Sequence, residues 1–245
     1  MLRPGDVAEV LGMDPGDAAR LLYRWKQQGF LSRLTRGLYA AVPLESLGAG
    51  QGIENPWVLV PILFAPGYVG GWSAAEHWDL TEQVFRDVCV LTAQPVKRKV
   101  RVIGGTRFVL KSISESKVFG LKPSWEGRHK IQISDPARTL VDVLDDPTLG
   151  GGARQVADFL AVYLRSDFGD TTLLLEYADR LGNGAVFKRL GFLLEHQGLD
   201  PDGLQAVCRS RLSAGHALLD PSVASPRIVS KWRLRVTENW LVGRD

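Results

Sequence analysis

The amino-acid sequence predicts an α+β protein, and three observations support this fold class. The first 43 residues have the pattern of two short helices followed by a hairpin, residues 87–133 read as short strands, and residues 136–213 have helical periodicity. Of the 245 residues, 45% are hydrophobic and 23% are charged, as in ordinary globular proteins. This composition excludes a disordered or collagen-like chain, and the length favours two domains.

Two short helices are predicted at the start of the chain. The apolar residues Val7, Val10 and Leu11 recur at helical spacing. Gly12 follows at the position where a left-handed residue ends a helix. The second helix begins directly after Asp14, which is a favourable N-cap.

The second helix has one apolar face and one basic face. Its apolar residues recur at the i, i+3, i+4 and i+7 positions from Ala18 to Trp25, which is the spacing of a buried stripe. Gly29 ends the helix, and the residues that remain for solvent are Arg20, Arg24, Gln27 and Gln28. The two helices and their short connection therefore form a helix-turn-helix.

A β-hairpin follows the helix-turn-helix. Residues 30–34 and 38–41 have strand composition and flank a glycine turn at residues 35–37. The hairpin would be the wing of a winged helix-turn-helix. Such a fold ordinarily has a further helix ahead of these two, so the module is either truncated or packed against the later domain.

This arrangement predicts that the basic residues of the helix-turn-helix and hairpin bind DNA. No acidic residue lies between Arg20 and Arg36, and a winged helix places its second helix in the major groove and its wing against phosphates. The alternative is a merely solvated basic face, which the helix-turn-helix pattern disfavours. The expected base contacts are Arg20 and Arg24, and the expected phosphate contacts are Lys26, Arg33 and Arg36.

A glycine-rich stretch separates two predicted domains. We expect a DNA-binding domain of residues 1–43, a linker of residues 44–54 and a larger domain of residues 55–245. The apolar run at residues 57–71 is interrupted by prolines and glycines and is too short to cross a membrane. Because the start of the chain also lacks a signal-peptide pattern, we expect a cytoplasmic protein with no membrane partner.

The larger domain begins with short helices. Residues 55–63 predict a helix that Pro61 kinks, and Ser73 with Glu76 has the spacing of a capping box at the start of another helix. The two cysteines, Cys89 and Cys208, have no metal-ligand spacing, and we expect both to be buried apolar residues.

An antiparallel sheet is predicted next, with strands at residues 88–91, 100–103, 108–110 and 130–133. Residues 97–130 carry ten basic and two acidic residues, so this sheet includes a second candidate basic surface. It would contact DNA backbone, RNA or an acidic partner, or simply be solvated. Its residues are Lys97, Lys99, Arg101, Arg107 and Lys111.

The length of one loop decides the geometry of that surface. A three-residue loop at residues 104–106 would put Lys99, Arg101, Arg107 and Lys111 on one face of the hairpin. A two-residue loop would instead place Arg101 beside Phe108. The sequence leaves both registers open.

A helical bundle is predicted to close the domain. Asp135 is the N-cap of a helix to residue 146, and helical periodicity continues over residues 152–165, 171–181, 185–197 and 202–213. Residues 228–236 alternate basic and apolar side chains, which predicts a terminal strand that returns to the sheet. The expected core residues of the bundle are Phe159, Leu160, Tyr163, Leu164, Phe192, Leu193 and Leu194.

The sequence does not favour an enzyme. Its four histidines are scattered without zinc-ligand spacing, and it has neither a phosphate loop nor a dinucleotide-binding fingerprint, so we expect no metal and no cofactor. Two enzyme alternatives remain, both disfavoured. One is a hydrolase that pairs Ser73 with His77, and the other is a nuclease that gathers Asp87, Glu126 and Lys130 around a metal.

Several short motifs occur in a characteristic order along the chain. They are GLY at residues 37–39, GYVGGWSAAEHW at 67–78, LTEQ at 80–83, SDPARTLVD at 134–142 and RLGFLLE at 189–195. In this order they resemble the AbiEi family of antitoxins from abortive-infection toxin–antitoxin systems, which act in phage defence. The resemblance covers most of the chain.

The resemblance implies a non-catalytic antitoxin and DNA-binding transcriptional autorepressor. Its partners would be operator DNA upstream of its own operon and a cognate nucleotidyltransferase-fold toxin, whose effect it counteracts. The alternative is a protein-interaction module whose large domain binds the toxin or another partner directly, with DNA binding incidental.

Overall fold

A computed structural model describes residues 1–42 and 55–241 of the chain. Helices and strands are both abundant, which confirms the predicted α+β class. The chain divides into two compact units, a smaller one of residues 1–56 and 100–109 and a larger one of residues 57–99 and 110–245. The predicted linker, residues 44–54, lies outside the described residues. Within the described ranges, no helix is long and apolar enough to cross a bilayer.

The predicted helices and hairpin of the smaller unit are observed. Gly12 ends the first helix with φ 63°, and the Oδ1 of Asp14 accepts a hydrogen bond from the amide of Gly16 at 2.7 Å to cap the second. Two antiparallel strands follow at the predicted place. The elements are α1 (Pro4–Leu11), α2 (Pro15–Gln27), β1 (Leu31–Thr35) and β2 (Leu38–Ala41).

A small apolar core joins these elements. Val10 and Leu11 are 82% and 50% exposed and lie outside this core. The buried face of α1 is centred between Val7 and Ala8, which places Val10 about 110° away at ~100° per residue, and Leu11 lies at the helix end. The core residues are Val7, Ala8, Ala18, Leu22, Leu31 and Tyr39.

Six strands form the larger sheet, and they are β3 (Gly67–Val69), β4 (Val88–Thr92), β5 (Val100–Ile103), β6 (Thr106–Ser112), β7 (Leu121–Glu126) and β8 (His129–Ser134). Their order across the sheet is β5-β6-β4-β3-β8-β7. β3 runs parallel to β8 through the pair Val69 and Ile133, so the prediction of a wholly antiparallel sheet is wrong. Neither β3 nor β7 was predicted, because β3 is short and glycine-flanked and β7 contains Pro123, which a strand at the sheet edge tolerates.

The predicted helical bundle is confirmed. Asp135 caps its first helix by accepting a hydrogen bond from the amide of Arg138 at 2.8 Å. The predicted core side chains are buried, except Leu164, which is partly buried. The last helix is shorter than predicted, because a 3₁₀ turn at Pro201–Gly203 precedes it. The helices are α5 (Pro136–Asp145), α6 (Ala153–Arg165), α7 (Thr171–Leu181), α8 (Gly184–His196) and α9 (Leu204–Ser210).

The short helices before the bundle differ from the prediction. Residues 55–63 form a 3₁₀ turn (Pro56–Val58) and then α3 (Leu59–Leu63). Helix α4 (Gly71–His77) begins before Ser73, so the predicted capping box is wrong.

The side chains of that supposed capping box bond to a later segment of the chain. The Oγ of Ser73 accepts a hydrogen bond from the amide of Cys89 at 2.9 Å, and Glu76 accepts one from the amide of Phe85 at 3.1 Å. The sequence spacing alone did not reveal these tertiary partners. Both cysteines are buried as expected, and burial raises the pKa of Cys208 to about 12.

The end of the chain forms a separate three-stranded sheet, so the predicted return of residues 228–236 to the larger sheet is wrong. A 3₁₀ turn at Ser230–Trp232 and the positive φ of Arg233 (51°) break the expected strand into two, and the chain reverses between them. The strands are β9 (Ala217–Leu218), β10 (Arg227–Val229) and β11 (Leu234–Val236), in the order β10-β11-β9.

Gly191 on α8 allows the ring of the buried Trp232 to approach the helix backbone. A Cβ atom at this position would lie 2.0 Å from Cζ3 of the indole. We expect Gly191→Ala to lower the free energy of unfolding by about 1–3 kcal/mol, since the ring has to move out of a close-packed site. Urea denaturation measures this change. Gly5→Ala is the control, because a Cβ at Gly5 meets nothing within 4 Å, and an equal effect of both variants would contradict the packing argument.

Candidate nucleic-acid interface

Helix α2 buries one face and exposes the other. Ala18 and Leu22 are fully buried in the core of the smaller unit, which leaves the opposite side of the helix in solvent. The exposed side chains recur at i, i+3, i+4 and i+7, so they form one continuous face. They are Arg20, Tyr23, Arg24 and Gln27, which together we call the α2 face.

Two members of the α2 face were missed by the sequence analysis as site residues. Tyr23 is 54% exposed, and its hydroxyl accepts a hydrogen bond from Nε2 of Gln27 at 2.6 Å. A glutamine amide can both donate to and accept from a base edge, as adenine recognition requires. The helical spacing placed Gln27 on the solvent side of the helix, and the same spacing places Tyr23 there.

Arg20 is held by an ion pair on its own helix. Its guanidinium contacts the carboxylate of Asp17 one turn earlier, and both side chains are exposed. Exposed pairs of this kind contribute only about 0–1 kcal/mol. The pair therefore orients Arg20 along the helix without preventing it from contacting a ligand.

The hairpin carries the remaining predicted contact residues. Arg33 lies on β1 and its Nε donates to the carbonyl of Thr35 at 3.4 Å, while Arg36 occupies the turn with Gly37. Lys26 lies in the last turn of α2. Both arginines and the lysine are exposed. From Arg20 through Arg36 the smaller unit presents five cations and no carboxylate.

The second candidate basic surface is divided by the strand register. The β5–β6 loop has two residues, so Arg101 pairs with the buried Phe108 and Arg107 pairs with Val102. Directly paired side chains share a face, and Arg101 and Arg107 therefore lie on opposite faces. The single basic face allowed by a three-residue loop is not formed. Lys97 and Lys99 are exposed ahead of β5.

Lys111 belongs to an ion-pair cluster. Its Nζ lies 2.7 Å from Oδ2 of Asp145 and 3.4 Å from Oδ2 of Asp146. Burial alone would raise the pKa of Asp145, but the Lys111 ammonium and the Asn183 amide hold that pKa below its usual value. Burial likewise disfavours the charged form of Lys111, yet the carboxylates raise its pKa. The two carboxylates neutralise the charge of Lys111. This lysine therefore stabilises the larger unit and does not add to a basic surface.

Lys111→Met should destabilise the larger unit by about 1–3 kcal/mol at neutral pH, because it leaves two carboxylates without their cation. The lowered pKa of Asp145 means that this stabilisation is present above the unfolded-state pKa and is lost as the pH falls through the folded-state pKa. The difference from wild type should therefore shrink in acid. Urea titrations at several pH values measure it, with Lys99→Met as the exposed control; a difference that grows in acid would contradict the ion pair.

A second polar cluster is enclosed in the larger unit. The Nη2 of Arg138 lies 2.9 Å from both Oδ1 of Asp142 and the hydroxyl of Tyr68, and that hydroxyl donates to Oδ2 of Asp142 at 3.0 Å. The guanidinium also lies over the ring of Phe119, 4.0 Å from its centroid. Arg138 and Tyr68 are wholly buried, and Asp142 is nearly so. Their enclosure makes this cluster a structural element.

The two residues of the hydrolase alternative, Ser73 and His77, have other partners. The Oγ of Ser73 accepts a hydrogen bond from the amide of Cys89. The ring of His77 packs edge-on against the rings of Trp57 and Trp78. Within residues 1–42 and 55–241, no three or more His, Cys, Asp or Glu side chains are arranged to hold a metal.

Comparison with known proteins identifies a structural relative. Neither a protein-family model nor a curated protein sequence matches the chain. A crystal structure of the Rv2827c protein from Mycobacterium tuberculosis superposes with a TM-score of 0.61 over 95% of this chain and 85% of that one, at 15% sequence identity. At this identity the likeness concerns the fold alone, and the chain therefore shares its fold with this mycobacterial protein.

Proposed function

We propose that the protein is a DNA-binding transcriptional autorepressor and the antitoxin of a toxin–antitoxin operon, counteracting a nucleotidyltransferase-fold toxin. One observation carries the DNA-binding part: the α2 face presents two arginines, a tyrosine and a glutamine opposite a buried stripe, beside a hairpin that carries Arg33 and Arg36. Such a face fits the major groove, where arginine and glutamine side chains bind base edges.

Two helices followed by a β-hairpin in the smaller unit support the proposal of a winged helix-turn-helix. In this proposal α2 is the recognition helix and the β1–β2 hairpin is the wing. Leu2 forms an antiparallel bridge with Tyr39 of β2, with N–O distances of 2.9 and 3.0 Å. Residue 2 thus adds to the hairpin, which supports a compact module.

The antitoxin role rests on the resemblance of the ordered motifs to AbiEi proteins. Occupancy of an operator near its own promoter would lower transcription of the antitoxin and the toxin together. The motif at residues 134–142 includes Arg138 and Asp142 of the buried polar cluster, and the motif at residues 189–195 includes Gly191, so both motifs contribute to packing within the larger unit.

Fluorescence anisotropy on the DNA upstream of the gene tests the proposal. The protein should bind this duplex more tightly than a scrambled duplex of equal length, and the affinity should fall steeply with salt because bound phosphates release counterions. Equal affinity for both duplexes at every salt concentration would count against autorepression.

The hairpin arginines should contribute affinity without sequence preference. Arg33→Ala and Arg36→Ala should each weaken binding to upstream and scrambled DNA alike and reduce the slope of log affinity against log salt by about one, because each removes one cation that neutralises the DNA backbone. The salt series with both duplexes measures this. A loss confined to the upstream duplex would instead assign the arginine to a base.

A direct protein interaction of the larger unit is the second candidate. Trp125 on the edge strand β7 is 65% exposed, which is unusual for tryptophan and typical of an interface anchor. If this candidate is correct, the product of the neighbouring gene should co-elute with the protein in gel filtration, and Trp125→Ala should weaken the complex. Separate elution of the two wild-type proteins would contradict it.

A further inference from the structure

A basic pocket lies within the smaller unit, at the end of α2. Its volume is about 520 Å³, which is in the range of pockets that bind small molecules or parts of larger ligands. Helix α2, strand β1 and the turn between β5 and β6 contribute to its wall. The lining residues are Lys26, Gln27, Leu31, Ser32, Arg33, Leu34, Gly104 and Gly105.

The lining has the chemistry of an anion site. Lys26 and Arg33 supply two cations, Ser32 supplies a hydroxyl and Gln27 an amide, and no carboxylate is among the lining residues. A pocket lined by both a lysine ammonium and an arginine guanidinium is typical of phosphate recognition.

The turn between β5 and β6 contributes only glycine backbone to the wall of the pocket. Gly104 and Gly105 both have positive φ, 57° and 82°, as the central residues of a type I′ hairpin require. A Cβ atom at Gly105 would meet nothing within 4 Å, so the turn leaves open space for a ligand to approach its backbone. The turn belongs to the same compact unit as α2 and β1, since residues 100–109 group with the start of the chain.

We propose that this pocket seats a phosphate of the DNA backbone, and that the β5–β6 turn is therefore part of the DNA-binding surface. This inference rests on the proposed function. It assigns to Lys26 and Arg33 one shared phosphate, and it adds a contributor that lies about 70 residues later in the sequence. Because a backbone phosphate carries no base identity, the pocket contributes affinity and salt dependence but no sequence preference.

A matched pair of variants at Gly105 tests the pocket. Gly105→Asp and Gly105→Asn add side chains of the same shape into open space, and both residues tolerate positive φ better than other side chains. They share the backbone strain and differ in one negative charge. Gly105→Asp should bind upstream and scrambled DNA about tenfold more weakly than Gly105→Asn in low salt, with a salt slope smaller by about one. Thermal melts should be the same for the pair.

The outcomes separate this inference from the proposed function. If wild type prefers upstream DNA but the two variants bind equally, the pocket assignment is overturned and autorepression stands. If the wild-type protein binds neither duplex, both the pocket assignment and the proposed DNA-binding function are overturned. A free phosphorylated molecule is the other source of the same chemistry, and inorganic pyrophosphate without DNA is its probe. Saturable pyrophosphate binding that Gly105→Asp abolishes, with DNA binding unaltered, would move the site from the DNA backbone to a small ligand.

Discussion

Replacing Arg138 with methionine is expected to lower the free energy of unfolding of the larger unit by about 3–5 kcal/mol. The guanidinium is wholly buried and contacts both Asp142 and the hydroxyl of Tyr68. Its removal leaves a carboxylate enclosed without a cation, and the cost of that uncompensated charge is larger than any contact energy lost with the side chain. The midpoint of urea denaturation, followed by circular dichroism, measures the effect.

The matched variant removes the whole cluster. Arg138→Met combined with Asp142→Leu and Tyr68→Phe leaves no buried charge and no hydroxyl without a partner, so it should recover most of the stability lost in the single variant. A triple variant less stable than Arg138→Met would show that the polar contacts themselves stabilise the unit. A single variant as stable as wild type would show that Asp142 is not charged in the folded protein.

The parts of the fold that were predicted from sequence depend on local interactions. Gly12, Asp14 and Asp135 end or cap helices through contacts within a few residues, and such contacts leave a pattern in the sequence itself. Ser73 has the local spacing of a helix cap, yet its hydroxyl accepts a hydrogen bond from the amide of Cys89. Local spacing cannot distinguish a cap from a residue with a more distant partner.

The register of the β5–β6 hairpin and the reversal of the chain at Arg233 were harder to predict. One residue more or less in the loop at Gly104 decides whether Arg101 and Arg107 share a face, and both loop lengths suit a glycine pair. The terminal segment alternates basic and apolar residues like a strand, but the left-handed conformation of Arg233 turns it back on itself. Nothing in the residue types around Arg233 indicates that reversal.

The candidate site was predicted in part. The amphipathic spacing of α2 assigned Arg20 and Arg24 to its exposed side, because an apolar stripe fixes the opposite face as well. The turn at Gly105 was not associated with α2, since only the folded chain brings residues so distant in sequence into one pocket. Lys111 was assigned to a basic surface because composition does not show the two carboxylates that neutralise it.

The double variant Arg20→Ala and Arg24→Ala is expected to remove most of the preference for upstream DNA. Each arginine that donates two hydrogen bonds to a guanine contributes about 1–3 kcal/mol of discrimination, so the pair should cost about 2–6 kcal/mol on the upstream duplex if the losses add. The loss on scrambled DNA should be much smaller. Anisotropy titrations with both duplexes at one salt concentration measure the difference.

The control has to remove the same charge from elsewhere. Arg128→Ala with Arg165→Ala deletes two exposed arginines of the larger unit and changes the net charge equally. If this control weakens upstream binding as much as the α2 variant does, long-range attraction explains the effect and α2 is not the recognition helix. If the α2 variant alone weakens binding but does so equally on both duplexes, its arginines contact phosphates. Sequence preference would then have to come from Gln27, from Tyr23 or from the shape of the DNA.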